Sequence, residues 1–322
     1  MTIVSEIKAE GLEAVKRWAL ELDGVEPALA EPDGDVPIEA IYDLADRVGR
    51  WHGAQRPEDI TLEVEPGVVL QRRWVALDTV GVYVPRGLIS TLVMCAVPAQ
   101  IAGVRRIVIC TPPDGAGMIA AAASLLGLNE VWALGGPQAI GFLAYVERVD
   151  KIVGPGNAYV NEAKLEVWRD VPIDLPGGPS EVVVVGGGDS RLVELELAAQ
   201  REHGHEAVCT AVDTVEEAEA IAPEHLVLLG EAERHADTVR NAGSVFVGRW
   251  SAVPAGDYAT GGNHVLPTNG WARSVGGLGI ETFMKPVTVQ RLTQDGLARL
   301  LPTIEALAEA EGMPAHAEAA RR

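Results

Sequence analysis

From Val80 to Asn157 the chain repeats one local pattern: a short apolar run, a break of Gly or Pro, then a helix-compatible stretch. Val80–Val84 ends at Pro85-Arg86-Gly87, Arg106–Cys110 at Pro112-Pro113, Glu130–Leu134 at Gly135-Gly136, and Lys151–Val153 at Gly154-Pro155-Gly156. Helices are predicted between them, to about Ala102, over 115–127, over Gln138–Tyr145 and over Asn161–Arg169. Strands that alternate with helices at this spacing build a parallel, wound sheet, so the fold class is α/β. Ligands on such sheets bind beyond the carboxyl ends of the strands, where these Gly/Pro loops lie.

The rest of the chain is read in the same way. Residues 4–23 are predicted as one amphipathic helix with Ile7, Val15, Trp18 and Leu22 near one face. Residues 24–38 read as an acidic loop and 39–53 as a second helix. Asp59–Leu77 reads as extended segments broken at Pro66-Gly67. Val182–Val185 is a further strand, followed by the triplet Gly186–Gly188, and Leu192–His203 is a helix. Short strands are expected at Val208–Val212, Leu226–Leu229 and Val245–Val247, and residues 279–322 are expected to be helical with a polar tail.

Charge narrows the partners. Asp and Glu number 46 against 26 Lys and Arg, giving a net charge of -20. A polyanion without a basic run is a poor partner for nucleic acid or an anionic membrane. Leu88–Val104 is the longest uncharged apolar stretch, but it is short and broken by Pro98 and Gln100, so no membrane span is expected. Glu6, Lys8, Glu10 and Glu13 interrupt any apolar core near the amino terminus, so no signal peptide is expected either. Cys95, Cys110 and Cys209 lie in apolar stretches without a CxxC, as free thiols do in a reducing compartment. A cytoplasmic location follows as the expectation.

Chemistry concentrates around the histidines, of which there are seven. Gln200 and His203 lie three apart on a predicted helix and share a face, although such a pair is more often simply solvated. Glu224-His225 sits at the edge of a predicted strand, an adjacent acid and base suited to proton transfer near neutral pH. Gly256-Asp257-Tyr258 and Gly261-Gly262-Asn263-His264 flank a turn where backbone can approach a ligand closely. Glu311 and His316 form a fourth cluster near the carboxyl end. Such groups can hold a borderline metal ion and still leave a general base. No GxGxxG opens a helix, so a dinucleotide would have to bind by another arrangement.

In order along the chain stand Gly81-Val-Tyr-Val-Pro85, Gly135-Gly-Pro-Gln-Ala-Ile140, Gly154-Pro-Gly-Asn157 and Asp174-Leu-Pro-Gly-Gly-Pro-Ser-Glu181. Gln200–His203, Ala222-Pro-Glu-His-Leu226, Gly256-Asp-Tyr-Ala259 and Asn263-His-Val-Leu-Pro-Thr268 follow. The ordered set, from about residue 10 to His316, resembles the histidinol dehydrogenase family. The resemblance implies oxidation of L-histidinol to L-histidine through an aldehyde, with two NAD+ and one zinc (Zn2+) per subunit. It implies zinc ligands at Gln200, His203, Asp257 and His316, the last supplied to the partner subunit of a homodimer. Glu224 and His225 would be the acid–base pair, Ser180, His264 and Glu311 substrate contacts, and Tyr83, Gln138 and Asn157 NAD contacts.

The resemblance also implies two wound, incomplete Rossmann-like sheet domains. The expected division is a helical segment over 1–25, a reduced α/β domain from 26–82 with 182–221, and a larger NAD-binding α/β domain from 83–181 with 222–278. A helical tail over 279–322 would reach the partner's active site. The chain departs from the family by a short segment at 204–223, by Arg86 where Gly is usual, and by Arg201 where a small residue is usual. Arg86 would bear on dinucleotide affinity, and Arg201 would point away from the metal. A relative acting on another polar alcohol, or a non-catalytic homologue, remains open at this point.

Overall fold

The computed structural model describes residues 1–186 and 190–321. The chain begins with α1 (Ile3–Glu10), α2 (Leu12–Leu22), the short β1 (Ala28–Leu29) and α3 (Ile38–Ala54). A hairpin of β2 (Ile60–Glu65) and β3 (Val68–Ala76) follows. The first wound segment is β4 (Thr79–Tyr83), α4 (Ile89–Ala102), β5 (Arg106–Thr111), α5 (Ala116–Leu125), β6 (Val131–Ala133), α6 (Gly136–Gly141), β7 (Lys151–Val153) and α7 (Ala158–Val167). The second is β8 (Glu181–Val185), α8 (Ser190–Arg201), β9 (Val208–Val212), α9 (Val215–Ile221), β10 (His225–Leu228), β11 (Ser244–Val247) and α10 (Val253–Tyr258). The chain closes with β12 (Met284–Leu292), α11 (Gln294–Ala310) and α12 (Pro314–Ala320).

These elements form two compact units, Met1–Arg56 with Leu77–Phe283, and Pro57–Ala76 with Met284–Arg322. The first unit holds two sheets. One has the order β1-β6-β5-β4-β7, parallel except for β1 at the edge. The other has the order β11-β10-β8-β9 and is parallel throughout. The α/β class is therefore as expected, but the division is not. Strands 181–185, 208–212, 225–228 and 244–247 form one sheet, without the segment 26–82. The first sheet takes β1 and residues 79–153, and the second takes residues 181–247.

Packing explains why the runs are apolar. Val182 and Val184 face one core with Val227, Leu229 and Phe246, while Val183 and Val185 face another with Leu226 and Leu228. A strand covered on both faces has no polar side to alternate with, so it reads as a continuous Val run. The first sheet packs against α1 and α2, whose Val4, Ile7, Val15 and Ala19 join the core with Val108, Leu134 and Ile140. The expected single helix over 4–23 is broken at Gly11, whose φ of 66° ends α1 and turns the chain into α2. The helical segment is thus part of the first sheet's core.

In the second unit, β12 pairs antiparallel with β3 from Met284↔Ala76 to Leu292↔Val68, and β2 pairs with β3 from the other side. The expected all-helical 279–322 is corrected here. Val287 and Val289 alternate with polar residues, the period of a strand, although Lys285, Pro286 and Arg291 obscure it. Gly187 and Gly188 of the expected triplet lie outside the described residues, as does Arg322 at the end of the tail. Among the described residues no helix is long and apolar enough to cross a membrane.

Candidate active site

β8 and β10 are parallel neighbours that start at the same edge, with His225 opposite Val182. Ser180, Glu181, Glu224 and His225 therefore collect at the amino edge of the second sheet. The Glu224 carboxylate accepts the Ser180 hydroxyl at 2.6 Å and the Glu181 backbone N–H at 2.8 Å through the same Oε2. Gln200 lies near the end of α8, which runs back to this edge, and its Nε2 donates to Ser180 Oγ at 2.8 Å. Gly178 keeps the approach to Ser180 tight, since a Cβ there would collide with the Asn269 amide.

His225 is buried between two acids. Its Nδ1 lies 3.0 Å from the Glu181 carbonyl and 3.5 Å from Glu224 Oε2. A carbonyl only accepts, so Nδ1 carries the proton and the lone pair of the neutral ring sits on Nε2. That Nε2 is buried, has no hydrogen-bond partner, and lies 3.7 Å from Asp257 Oδ1. The Asp257 backbone carbonyl accepts His264 Nδ1–H at 3.1 Å, and Thr91 Oγ1 on α4 lies 3.3 Å from His264 Nε2. One run of contacts thus joins Gln200, Ser180, Glu224, His225, Asp257 and His264.

The electrostatics follow from this packing. Burial disfavours charge on His225, but the neighbouring Glu224 and Asp257 outweigh it and raise its pKa above the ordinary 6.5. Burial alone would push Glu224 up. His225, the Ser180 hydroxyl and the Glu181 amide more than reverse that and hold its pKa below 4.5. For His264 burial wins, and its pKa falls below the ordinary value although Asp257 opposes the shift.

A cavity of about 310 Å³ opens on this run, lined among others by His225, Phe246, Asp257, Thr260, Asn263 and His264. Its size suits a small polar metabolite. The expected residues Ser180, Gln200, Glu224, His225, Asp257 and His264 are brought together. His203 is exposed just past α8, with Nδ1 3.3 Å from the Gln200 carbonyl. Glu311 and His316 belong to the second unit, where both are exposed. Arg201 is exposed and pairs with Glu194 at 2.7 Å.

The donors fit a borderline divalent ion. Gln200 gives its Nε2 to Ser180, leaving its amide oxygen as the ligating atom. An amide oxygen, an imidazole and a carboxylate are donor types that zinc takes. Among the described residues no three His, Cys, Asp or Glu side chains form a metal cluster. The first unit contributes only His203 and Asp257 of that kind to the expected set, so such a site needs a further ligand.

The expected cofactor residues lie elsewhere, at the carboxyl ends of the first sheet. Tyr83 ends β4, and its hydroxyl accepts the Gly136 N–H at 3.3 Å. Burial pushes the Tyr83 hydroxyl up to about 12. Gln138 is buried, donates Nε2 to Asp23 at 2.9 Å, and leaves its Oε1 without a partner. Asn157 is exposed and caps α7 by accepting the Val160 N–H at 3.1 Å. Gly154 has φ +110°, and a Cβ there would collide with the Tyr83 carbonyl, so β7's loop lies directly on the end of β4. The orphaned Gln138 amide oxygen on α6 is a polar atom left for a bound ligand to pair. Arg86 pairs with Asp114 at 2.6 Å and both are exposed.

Glu181 was not singled out by its chemistry. Its buried carboxylate accepts the Asn269 N–H at 2.9 Å and the Glu224 N–H at 3.3 Å, and burial raises its pKa. The signal was present, since it is the one acid opening an otherwise all-Val strand. Thr91 gave no signal, because only the fold brings α4 to His264.

Comparison with known proteins agrees with this geometry. A family model described as histidinol dehydrogenase matches residues 1–219 and 211–322. The two matches meet close to the short 204–223 segment. The chain is 40% identical to histidinol dehydrogenase of Haloarcula marismortui over 99% of this chain and 92% of that one. It is 35% identical to the Methanosarcina mazei enzyme over 99% of this chain and 90% of that one. The crystal structure of histidinol dehydrogenase from Elizabethkingia anophelis superposes with a TM-score of 0.90 at 32% identity, covering 99% of this chain and 90% of that one. The chain belongs to the histidinol dehydrogenase family, the oxidoreductases that act on histidinol in histidine biosynthesis.

Proposed function

We propose that the protein oxidises L-histidinol to L-histidine by way of L-histidinaldehyde, in two NAD+-dependent steps at a zinc-containing site. The observation that carries this reading is the buried, unpartnered Nε2 of His225, a residue that lines the cavity. With Nδ1–H tied to the Glu181 carbonyl, Nε2 is the atom that takes the proton of the alcohol. The aldehyde then needs water, and Glu224, held as a carboxylate, is the base that takes the proton as water adds. His264 and Ser180 contact the substrate from opposite ends of the contact run, and Glu311 is read as a third contact.

Gln200, His203 and Asp257 would hold the zinc, with His316 supplied by the partner subunit of a homodimer. Bound zinc would fix the substrate's imidazole and amine, and NAD+ would accept the hydride in each oxidation. Tyr83 and Gln138 shape the dinucleotide loops, and Asn157 is the exposed side chain among the three. The two sheets are read as incomplete dinucleotide-binding sheets, of which the first holds the cofactor. A soluble cytoplasmic enzyme without nucleic-acid or membrane partners suits the net charge of -20.

The test is stoichiometry. Zinc-loaded protein is mixed with limiting L-histidinol and excess NAD+, and NADH is counted at completion. About two NADH per histidinol are expected from a four-electron oxidation. A yield of about one, or none from folded protein with zinc bound, would overturn the two-step reading.

A further inference from the structure

His52 lies on α3, far in sequence from every residue so far assigned a role, and its side chain is fully buried. Its Nδ1 donates to the Val48 carbonyl at 2.8 Å, one helical turn back. The neutral ring then presents its Nε2 lone pair to the Asn263 amide, whose Nδ2 lies 3.3 Å away. Asn263 is held at two further points. The same Nδ2 donates to the Met94 carbonyl at 2.7 Å, and Oδ1 accepts the Val265 N–H at 2.9 Å. These two bonds fix which end of the amide is nitrogen, so Nε2 of His52 is an acceptor.

The bond from Val265 back to Asn263 closes a turn, and the residue inside that turn is His264. The turn also rests on α3, because a Cβ on Gly261 would lie 2.6 Å from the Arg47 backbone. On α4, Met94 receives Asn263 while Thr91, three residues earlier on the same face, meets His264. A buried ring used only for packing would need no acceptor at this point. A buried imidazole costs desolvation and stays favourable only when its polar atoms are paired.

We propose that His52 is a positioning residue for the cavity: as the neutral Nδ1–H tautomer it orients the Asn263 amide, and through it the turn that presents His264. The inference rests on the reading of His264 as a substrate contact. It predicts an effect on substrate affinity from a residue that touches no substrate.

A double-mutant cycle of His52→Phe with Asn263→Ala tests it, with thermal unfolding followed alongside. Phe keeps the ring and removes the acceptor. His52→Phe is expected to raise KM for L-histidinol about tenfold, a single lost hydrogen bond, with kcat changed less than about twofold. His52→Gln, which keeps an acceptor at the ring's far end, recovers most of the affinity. The double variant is expected to be no worse than Asn263→Ala alone. Additive losses, an unchanged KM, or equal loss of kcat and KM with a lowered Tm would overturn the proposal. Should His52→Phe fail to fold, His52→Asn, too short to reach Asn263, replaces it in the same cycle with the same expected KM rise. A wild-type protein that oxidises no histidinol defeats the functional reading, not this one. Crystal structures of the wild type and the His52 variant then decide: a rotated Asn263 amide with His264 withdrawn from Thr91 supports the proposal, and an unmoved turn refutes it.

Discussion

The two sheets of the first unit differ in strand order, and on the proposed reading their site residues stand at opposite ends. The first presents its carboxyl ends, where Tyr83, Gln138 and Asn157 stand on Gly-rich loops and helix starts. The second presents its amino ends, where Ser180, Glu181, Glu224 and His225 open β8 and β10. The materials differ with the ends. A carboxyl end offers free backbone N–H groups at helix starts, which suit a phosphate and tolerate few side chains. An amino end offers strand starts and helix ends, where little backbone is free to donate, so the work falls to titratable side chains in a bonded run. On the proposed reading, the rule that ligands sit at carboxyl ends describes the binding half of such a site better than the chemical half.

The sharpest way to break this contrast is His225→Ala. A general base contributes about 10²–10⁴ in rate, so kcat with histidinol should fall by that order while the protein remains folded. Retained turnover would remove the chemistry from the amino edge. Glu224→Gln comes next. Oxidation of L-histidinaldehyde should slow at least about tenfold more than oxidation of the alcohol, measured by single-turnover NADH formation from each. Equal slowing of both would deny the carboxylate its separate task.

At the other end the effects should appear in binding. Gly154→Ala forces a side chain against the Tyr83 carbonyl at a φ that disfavours it. KM for NAD+ should rise several-fold with kcat at saturation nearly kept, and Tm should fall, since such strain costs about 1–3 kcal/mol. A loss confined to kcat would place this loop in the chemistry and erase the contrast. The smallest expected effect is on stability against pH. Burial lowers the pKa of His52 below 6.5, with the Val48 and Leu278 carbonyls opposing the shift. On acidification the unfolded chain takes the proton first, so this contribution is complete above about pH 6.5 and is lost as pH falls toward the lowered value. Denaturant titrations of wild type and His52→Phe should therefore keep a constant gap above about pH 6.5, and the gap should change as pH falls below it, against the wild type. Parallel curves would mean that His52 titrates normally.

The wound strands were legible because burial on both faces writes continuous apolar runs, and Gly or Pro marks each exit, as at Gly154 and Gly135. Which strand joins which sheet was not legible. Val182–Val185 has the same texture as Val80–Val84, and only tertiary pairing separates them. β12 hid because Lys285, Pro286 and Arg291 blur the alternation of Val287 and Val289. The candidate site residues stood out as ordered motifs, whereas Glu181, Thr91 and His52 did not. Their significance lies in burial and in contacts made across 43 to 211 positions of chain.

The β3–β12 ladder also bears on the order of events at the ribosome. β2 and β3 can pair soon after they emerge, but β12 is made roughly two hundred residues later. Until then β3 carries one open edge of nine residues, the kind of template on which strands of other chains add. Contacts so distant in sequence close slowly. A nascent or truncated chain ending before Met284 would leave that edge bare, so protection by chaperones matters until Met284–Leu292 has been made.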